Sequence, residues 1–213
     1  MDDARRPDTA LVVIDVQEAF DDPRWGRRNN RDADRNIADL VDAFGNAGLP
    51  VVFVQHRSGK PGSLFHPDNP GHAFKDYLRT SAPDLLVTKS VHSSFHGTPD
   101  LHRWLAGSGT GRLVISGITT NHCCETTARV AGDLGYDVLF ALDATHTFDR
   151  TGPYGYVVTA DELARTTATN LDGEFATVVS TRHVIDLLQA SEVGVGPGSR
   201  DFRHLTGYPP GVR

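Results

Sequence analysis

The sequence predicts a single α/β domain: a three-layer α-β-α sandwich around a six-stranded, mainly parallel, Rossmann-like sheet with strand order 3-2-1-4-5-6. Three observations carry that prediction. Six short apolar runs rich in β-branched residues recur along the 213 residues. Each is continuous rather than alternating, as in strands covered on both faces. Stretches with helical spacing lie between most of them, and strand–helix–strand alternation implies a parallel sheet with right-handed crossovers. At 38% hydrophobic residues and two adjacent cysteines, the chain can bury a substantial core and cannot rest on a disulfide framework or a four-cysteine zinc site.

The first strand is read at Thr9–Asp15 (TALVVID), followed by a polar loop over 21–31. Ile37, Leu40, Val41 and Phe44 keep an i, i+3, i+4, i+7 spacing and run into the stop Asn46-Ala47-Gly48, so a helix ends there. The second strand is Pro50–Val54. Residues 57–70 (RSGKPGSLFHPDNP) are rich in Gly and Pro and read as a long surface loop that lines or covers a pocket. The third strand is Leu85–Thr88. Thr98-Pro99-Asp100 reads as a helix start with proline at the first helical position, leading through Leu101 and Leu105 to Gly107. The fourth strand is Arg112–Ser116. Cys124, Thr127, Ala128, Ala131 and Leu134 form the apolar stripe of a helix stopped by Gly135. The fifth strand is Tyr136–Leu142. Thr159 followed by Glu162 reads as a capping box before a helix reaching Asn170, and Phe175–Val179 is the sixth strand. The domain is assigned to residues 1–193. The Gly- and Pro-rich tail 194–213 is expected to be extended, ordered only by packing on a neighbour.

Charge and hydropathy exclude several functions. Lys plus Arg is 21 and Asp plus Glu is 27, a formal charge of −6, which does not suit nucleic acid or an anionic membrane surface. No stretch approaches the ~18–20 apolar residues of a membrane span, and MDDARRPDT lacks the layout of a secretory signal. A cytoplasmic protein is expected. No G-x-G-x-x-G follows the first strand, and GSGTG at 107–111 precedes a strand rather than a helix, so a nucleotide site is not expected.

In an open parallel sheet, ligands bind beyond the carboxyl ends of the strands. Asp15 closes the first strand, Lys89 follows the third, and Cys123 begins the helix after the fourth. Singly, each has an ordinary alternative: a loop cap, a solvated lysine, a buried filler. With the predicted strand order all three reach one crevice. A helix start and an ammonium favour a thiolate at Cys123. Asp15 can carry a proton from thiol to leaving amine, and backbone N–H groups at the same turn can hold an oxyanion. Cys124 points elsewhere around the helix and is read as core.

Three segments match a known family in order and spacing: LVVIDVQEAF, VTKSVHSSFHGTPDL and GITTNHCCETTARVAGDLGYDVLFALDAT. On these, from about Ala10 to about Ser180, the chain resembles the isochorismatase-like cysteine hydrolases, which include nicotinamidases and N-carbamoylsarcosine amidases. The resemblance implies a catalytic set of Asp15, Lys89 and Cys123, a cis peptide between Ile118 and Thr119, and an oxyanion site from the Thr119 and Cys123 N–H groups. It implies hydrolysis of a small amide, lactam or ureide through a thioester, in a homodimer or homotetramer. The tail and the 57–70 loop are the expected exchange surfaces. The alternatives are vinyl-ether hydrolysis of the isochorismatase type, which uses no cysteine nucleophile, and a catalytically silent small-molecule-binding homologue.

Nicotinamidases carry a metal site on an Asp-x-His pair after the second strand. Here that stretch is Val54-Gln55-His56-Arg57-Ser58. No cofactor and no metal are expected, with His56, His66 and His72 read as loop histidines. Candidate substrate contacts are Phe20 and Trp25 after the first strand, His92 and Phe95 after Lys89, His122 beside the nucleophile, and Phe148 after the fifth strand. Phe20, Trp25 and Phe95 have core packing as their alternative, and His122 a turn cap.

Overall fold

A computed structural model describes residues 9–192; the tail 194–213 lies outside the described residues. In chain order the main elements are β1 (Thr9–Ile14), α1 (Ala33–Asn46), β2 (Val51–His56), β3 (Leu85–Lys89), α2 (Leu101–Gly107), β4 (Arg112–Ile118), α3 (Glu125–Asp133), β5 (Asp137–His146), β6 (Arg150–Thr151), β7 (Val157–Val158), α4 (Ala160–Leu171), β8 (Thr177–Val179) and α5 (Thr181–Glu192). Six of the strands form one sheet in the order β3-β2-β1-β4-β5-β8, and every pairing in it is parallel. This is the predicted order, with β8 as the sixth strand.

Successive residues of the central strands enter opposite layers. Leu11 and Val13 of β1 meet Ile37, Leu40, Val41 and Phe44 of α1 and Val184 of α5. Ala10, Val12 and Ile14 meet Leu101 and Leu105 of α2, Ala128 and Ala131 of α3 and Leu171 of α4. Both faces are buried, so neither position can be polar, which explains the unbroken apolar runs. Each large side chain removed from water contributes about 1.5–3 kcal/mol. At Gly117 (φ 126) the backbones of β4 and β1 approach so closely that a Cβ would collide with Ile14. That contact sits one residue before Asp15.

Several local expectations need correction. The cap of α2 is Asp100, whose side chain accepts the Arg103 N–H. Thr98 instead pairs with Thr88 of β3 through both backbone groups at 2.8 Å, and the Thr98–Pro99 bond is cis. Proline therefore precedes the helix rather than opening it. Leu134 is 43% exposed and does not extend the α3 stripe. The antiparallel hairpin β6–β7 and helix α5 were not anticipated. The apolar spacing of Val184, Leu187 and Leu188 is the signal that could have shown α5. The capping box at Thr159 and Glu162 forms as expected, with both reciprocal bonds present. No helix among the described residues is long and apolar enough to cross a membrane.

Candidate active site

Three strand ends deliver the chemistry. Asp15 follows β1 with φ 53, a left-handed conformation that aspartate tolerates better than most residues. Its N–H is held by the Val54 carbonyl at 2.8 Å. Lys89 is the last residue of β3. Cys123 lies in a π-helical turn, Thr120–Cys124, between β4 and α3. The Ile118–Thr119 peptide just before that turn is cis, as the resemblance implied.

The three side chains meet. The Lys89 ammonium donates to Asp15 Oδ2 at 2.5 Å, to the Val91 carbonyl at 3.1 Å and to Cys123 Sγ at 3.4 Å. An ammonium has three N–H donors, so every proton of Lys89 has an acceptor and its position is fixed. The Lys89 and Asp15 side chains are 0% and 1% exposed. The other carboxylate oxygen, Asp15 Oδ1, is buried with no hydrogen-bond partner among the described residues.

The protonation state differs from the expected one. Burial raises the Cys123 thiol most, and the Asp15 charge adds to it. Lys89 pulls the other way but does not win, and the thiol is pushed up to about 12. The reason is burial beside a neutralised pair: Cys123 is 8% exposed, and Lys89 spends its charge on Asp15. For Lys89 itself, burial opposes the charge, but the attraction of Asp15 above all holds the ammonium above its ordinary value. The resting enzyme therefore holds a thiol, an ammonium and a carboxylate acceptor beside the sulfur. Alkylation of Cys123 by iodoacetamide is expected to be slower than that of a free thiol at pH 7, and its rate should still be rising at pH 10. A rate plateau below pH 8 would contradict the buried-thiol account.

Above Cys123 lies a cavity of about 520 Å³. Five of the six predicted substrate contacts, Phe20, Trp25, His92, His122 and Phe148, line it together with Thr119. Phe95 does not. It is stacked on Tyr136 at 5.9 Å and packs with the second core layer, because the turn at Ser94–His96 directs it away from the strand ends. The rings of Phe20, Trp25, Phe65 and Phe148 form one apolar wall, with centroid separations of 5.0–6.4 Å. Phe65 comes from the 57–70 loop, which thus lines the pocket as anticipated.

Long-range bonds hold that wall in place. The loop over 21–31 is zipped to the segment after β5 by an isolated bridge between Arg28 and Phe148 and by Asp149 N–H to the Arg27 carbonyl at 3.0 Å. Gln17, fully buried, clamps the end of β2 to the next loop: its Nε2 donates to the His56 and His72 carbonyls and its Oε1 accepts the His56 N–H. Arg24, His56, Phe65, Thr147, Asp149 and Arg150 also line the pocket. Of these only His56 was singled out from sequence, as one of three loop histidines expected to hold no metal.

The three loop histidines do not converge. His56 faces the pocket against Phe65, His66 Nδ1 accepts the Asp68 N–H, and the His72 ring faces Gln55. Among the described residues no group of three or more metal-ligating side chains exists, so the metal site of nicotinamidases does not fit these residues. Burial holds His56 and His122 below the ordinary imidazole value, with Lys89 a further cause at His56 and Arg150 at His122.

A parallel doubly wound sheet whose carboxyl edge gathers polar side chains under a pocket is the framework of an α/β hydrolase. The isochorismatase domain family model matches residues 9–183, and the chain belongs to that family of hydrolases. YrdC of Bacillus subtilis, an isochorismatase family protein, is 40% identical over 180 residues, 83% of this chain and 94% of YrdC. Nicotinamidase 3 of Arabidopsis thaliana is 32% identical over 184 residues, 80% of this chain and 83% of its own. Among solved structures, an isochorismatase-family protein from Chromobacterium violaceum has a TM-score of 0.82 at 36% identity, covering 88% of this chain and 96% of that one.

Proposed function

We propose that the protein hydrolyses the C–N bond of a small amide, lactam or ureide through a thioester on Cys123. The observation that carries this reading is the contact of Lys89 with both Asp15 and Cys123 at the floor of the pocket. Because the thiol is protonated at rest, deprotonation must accompany attack. Asp15, whose Oδ1 is unsatisfied, takes the thiol proton as Sγ bonds to the carbonyl carbon. The Thr119 and Cys123 N–H groups, in a turn that opens on the pocket, receive the oxyanion. As the C–N bond breaks, Asp15 returns the proton to the leaving nitrogen. Water, deprotonated by Asp15, then attacks the thioester, and the acid leaves as Sγ regains a proton. Lys89, bonded to both, holds Asp15 and Cys123 in place for these transfers. A relative named as a nicotinamidase supports an amide as the substrate class.

Vinyl-ether hydrolysis needs no nucleophilic sulfur, and the placement of Cys123 favours the amide reading over it. A panel of carboxamides, lactams and ureides scored by ammonia or amine release tests the proposal, with intact-mass detection of an acyl adduct on rapid acid quench. Turnover that survives unchanged in Cys123→Ala would reject the thioester route.

The same proposal includes a homodimer or homotetramer acting in the cytoplasm. The exposed Tyr154, Tyr156 and Val157 on the β6–β7 hairpin support association, since they leave apolar surface on the hairpin that also carries the pocket residue Arg150. Light scattering should give a mass at least twice that of one chain; a monomer at assay concentration would remove this part.

A further inference from the structure

The charges that line the pocket cancel in pairs, with one exception. Asp15 is matched by Lys89 at 2.5 Å. Arg24 donates to both oxygens of Asp22, at 2.8 and 3.0 Å. Asp149 accepts from Arg27 at 3.1 Å and from the Ala160 N–H at 2.7 Å. His56 and His122 are held toward the neutral form by burial. The guanidinium of Arg150 alone makes no hydrogen bond or ion pair with any described residue. A chain with a net charge of −6 therefore presents an uncompensated cation to its own pocket.

Arg150 is well placed to use that charge. It follows Phe148 and Asp149 directly, and its backbone is paired with Val158 across the β6–β7 hairpin, so the side chain springs from a fixed point on the rim. Its field reaches His122, whose ring lies 5.8 Å from that of His92 and whose Nδ1 is bonded to the Thr119 hydroxyl at 3.2 Å. Arg150 and two imidazoles thus gather on the Cys123 side of a cavity that elsewhere offers the four rings of Phe20, Trp25, Phe65 and Phe148. A guanidinium beside an apolar wall fits a planar body that carries a carboxylate, held through two parallel N–H···O bonds.

We propose that the substrate is an amide bearing a carboxylate on a flat apolar body, and that Arg150 is the residue that selects it. The inference rests on the amidohydrolase reading and adds the substrate class. Arg150 is exposed, so solvent and salt weaken its attraction. A preference of about tenfold is expected rather than the hundredfold of a buried charged pair.

The test compares meta-carbamoylbenzoate with benzamide, two amides that differ by the carboxylate. The wild-type enzyme should favour the carboxylate about tenfold in kcat/KM, mainly through KM, and the ratio should shrink as salt is raised. In Arg150→Gln the ratio should fall to about one, and Arg150→Lys should restore part of it. Absence of any preference in the wild type, or a preference that persists in Arg150→Gln, overturns the proposal. Binding of the same two amides to Cys123→Ala and to Cys123→Ala/Arg150→Gln, measured by calorimetry, separates the two layers. If no amide is hydrolysed, the amidohydrolase reading fails, while tighter binding of the carboxylate that requires Arg150 still upholds the anion site, and equal binding removes it.

Discussion

Cys123→Ser is expected to lower amide turnover by about four orders of magnitude or more, because residues that act as a unit fail together when the nucleophile is lost. The site is tuned to a thiol already pushed up to about 12 by burial and by Asp15. A serine hydroxyl is a far weaker acid than a thiol, so the same carboxylate would have to remove a much more tightly held proton in the same dry surroundings. The oxyanion donors and the aromatic wall would remain, which is why the loss should fall on kcat and not on KM. The substitution exchanges one small side chain for another at a position 8% exposed, and the melting temperature should barely move. Three measurements together decide the matter: turnover, acyl adduct by intact mass, and thermal melting. A serine variant that turns over at the wild-type rate would remove sulfur from the mechanism.

The sheet and the meeting of Asp15, Lys89 and Cys123 were legible in the sequence for one shared reason. Strands buried on both faces must be continuous apolar runs, and the polar residues that end such runs mark the carboxyl edge where ligands bind. Asp15 and Lys89 stand at those ends, and Cys123 at the next helix start. The protonation state was not legible. It depends on Lys89 being bonded to Asp15, a distance no spacing rule supplies, and on the burial of the cavity floor. The pocket rim was legible only in part. Trp25 and Phe148 lie 123 positions apart in a sequence of 213, and they meet because the Arg28–Phe148 bridge closes one loop on another. Arg24, Phe65 and Arg150 arrive by the same kind of loop contact. Phe95 shows the converse: an aromatic three residues after the pocket histidine His92 turned to Tyr136 instead, since a short turn reverses the direction of successive side chains.

Lys89→Met should inactivate the enzyme and destabilise it, and a second substitution should separate the two effects. Methionine matches the length of the lysine stem but removes all three bonds of the ammonium, to Asp15, Val91 and Cys123. Asp15 is then a carboxylate 1% exposed with no cation beside it. Leaving one partner of a buried pair uncompensated costs about 3–5 kcal/mol, unless the carboxyl takes up a proton. Either outcome disables the acid–base step, the first by unfolding and the second by occupying the oxygen that must accept the thiol proton. Turnover should drop by at least about two orders of magnitude, the scale of a lost general base. In the double variant Asp15→Asn/Lys89→Met no charge is left buried, so most of the stability should return while activity stays absent. Urea unfolding and ammonia release, measured on wild type, the single variant and the double variant, give the comparison. If the double variant is no more stable than Lys89→Met alone, Lys89 contributes chiefly through packing. If it recovers turnover, proton transfer by Asp15 is not part of the reaction.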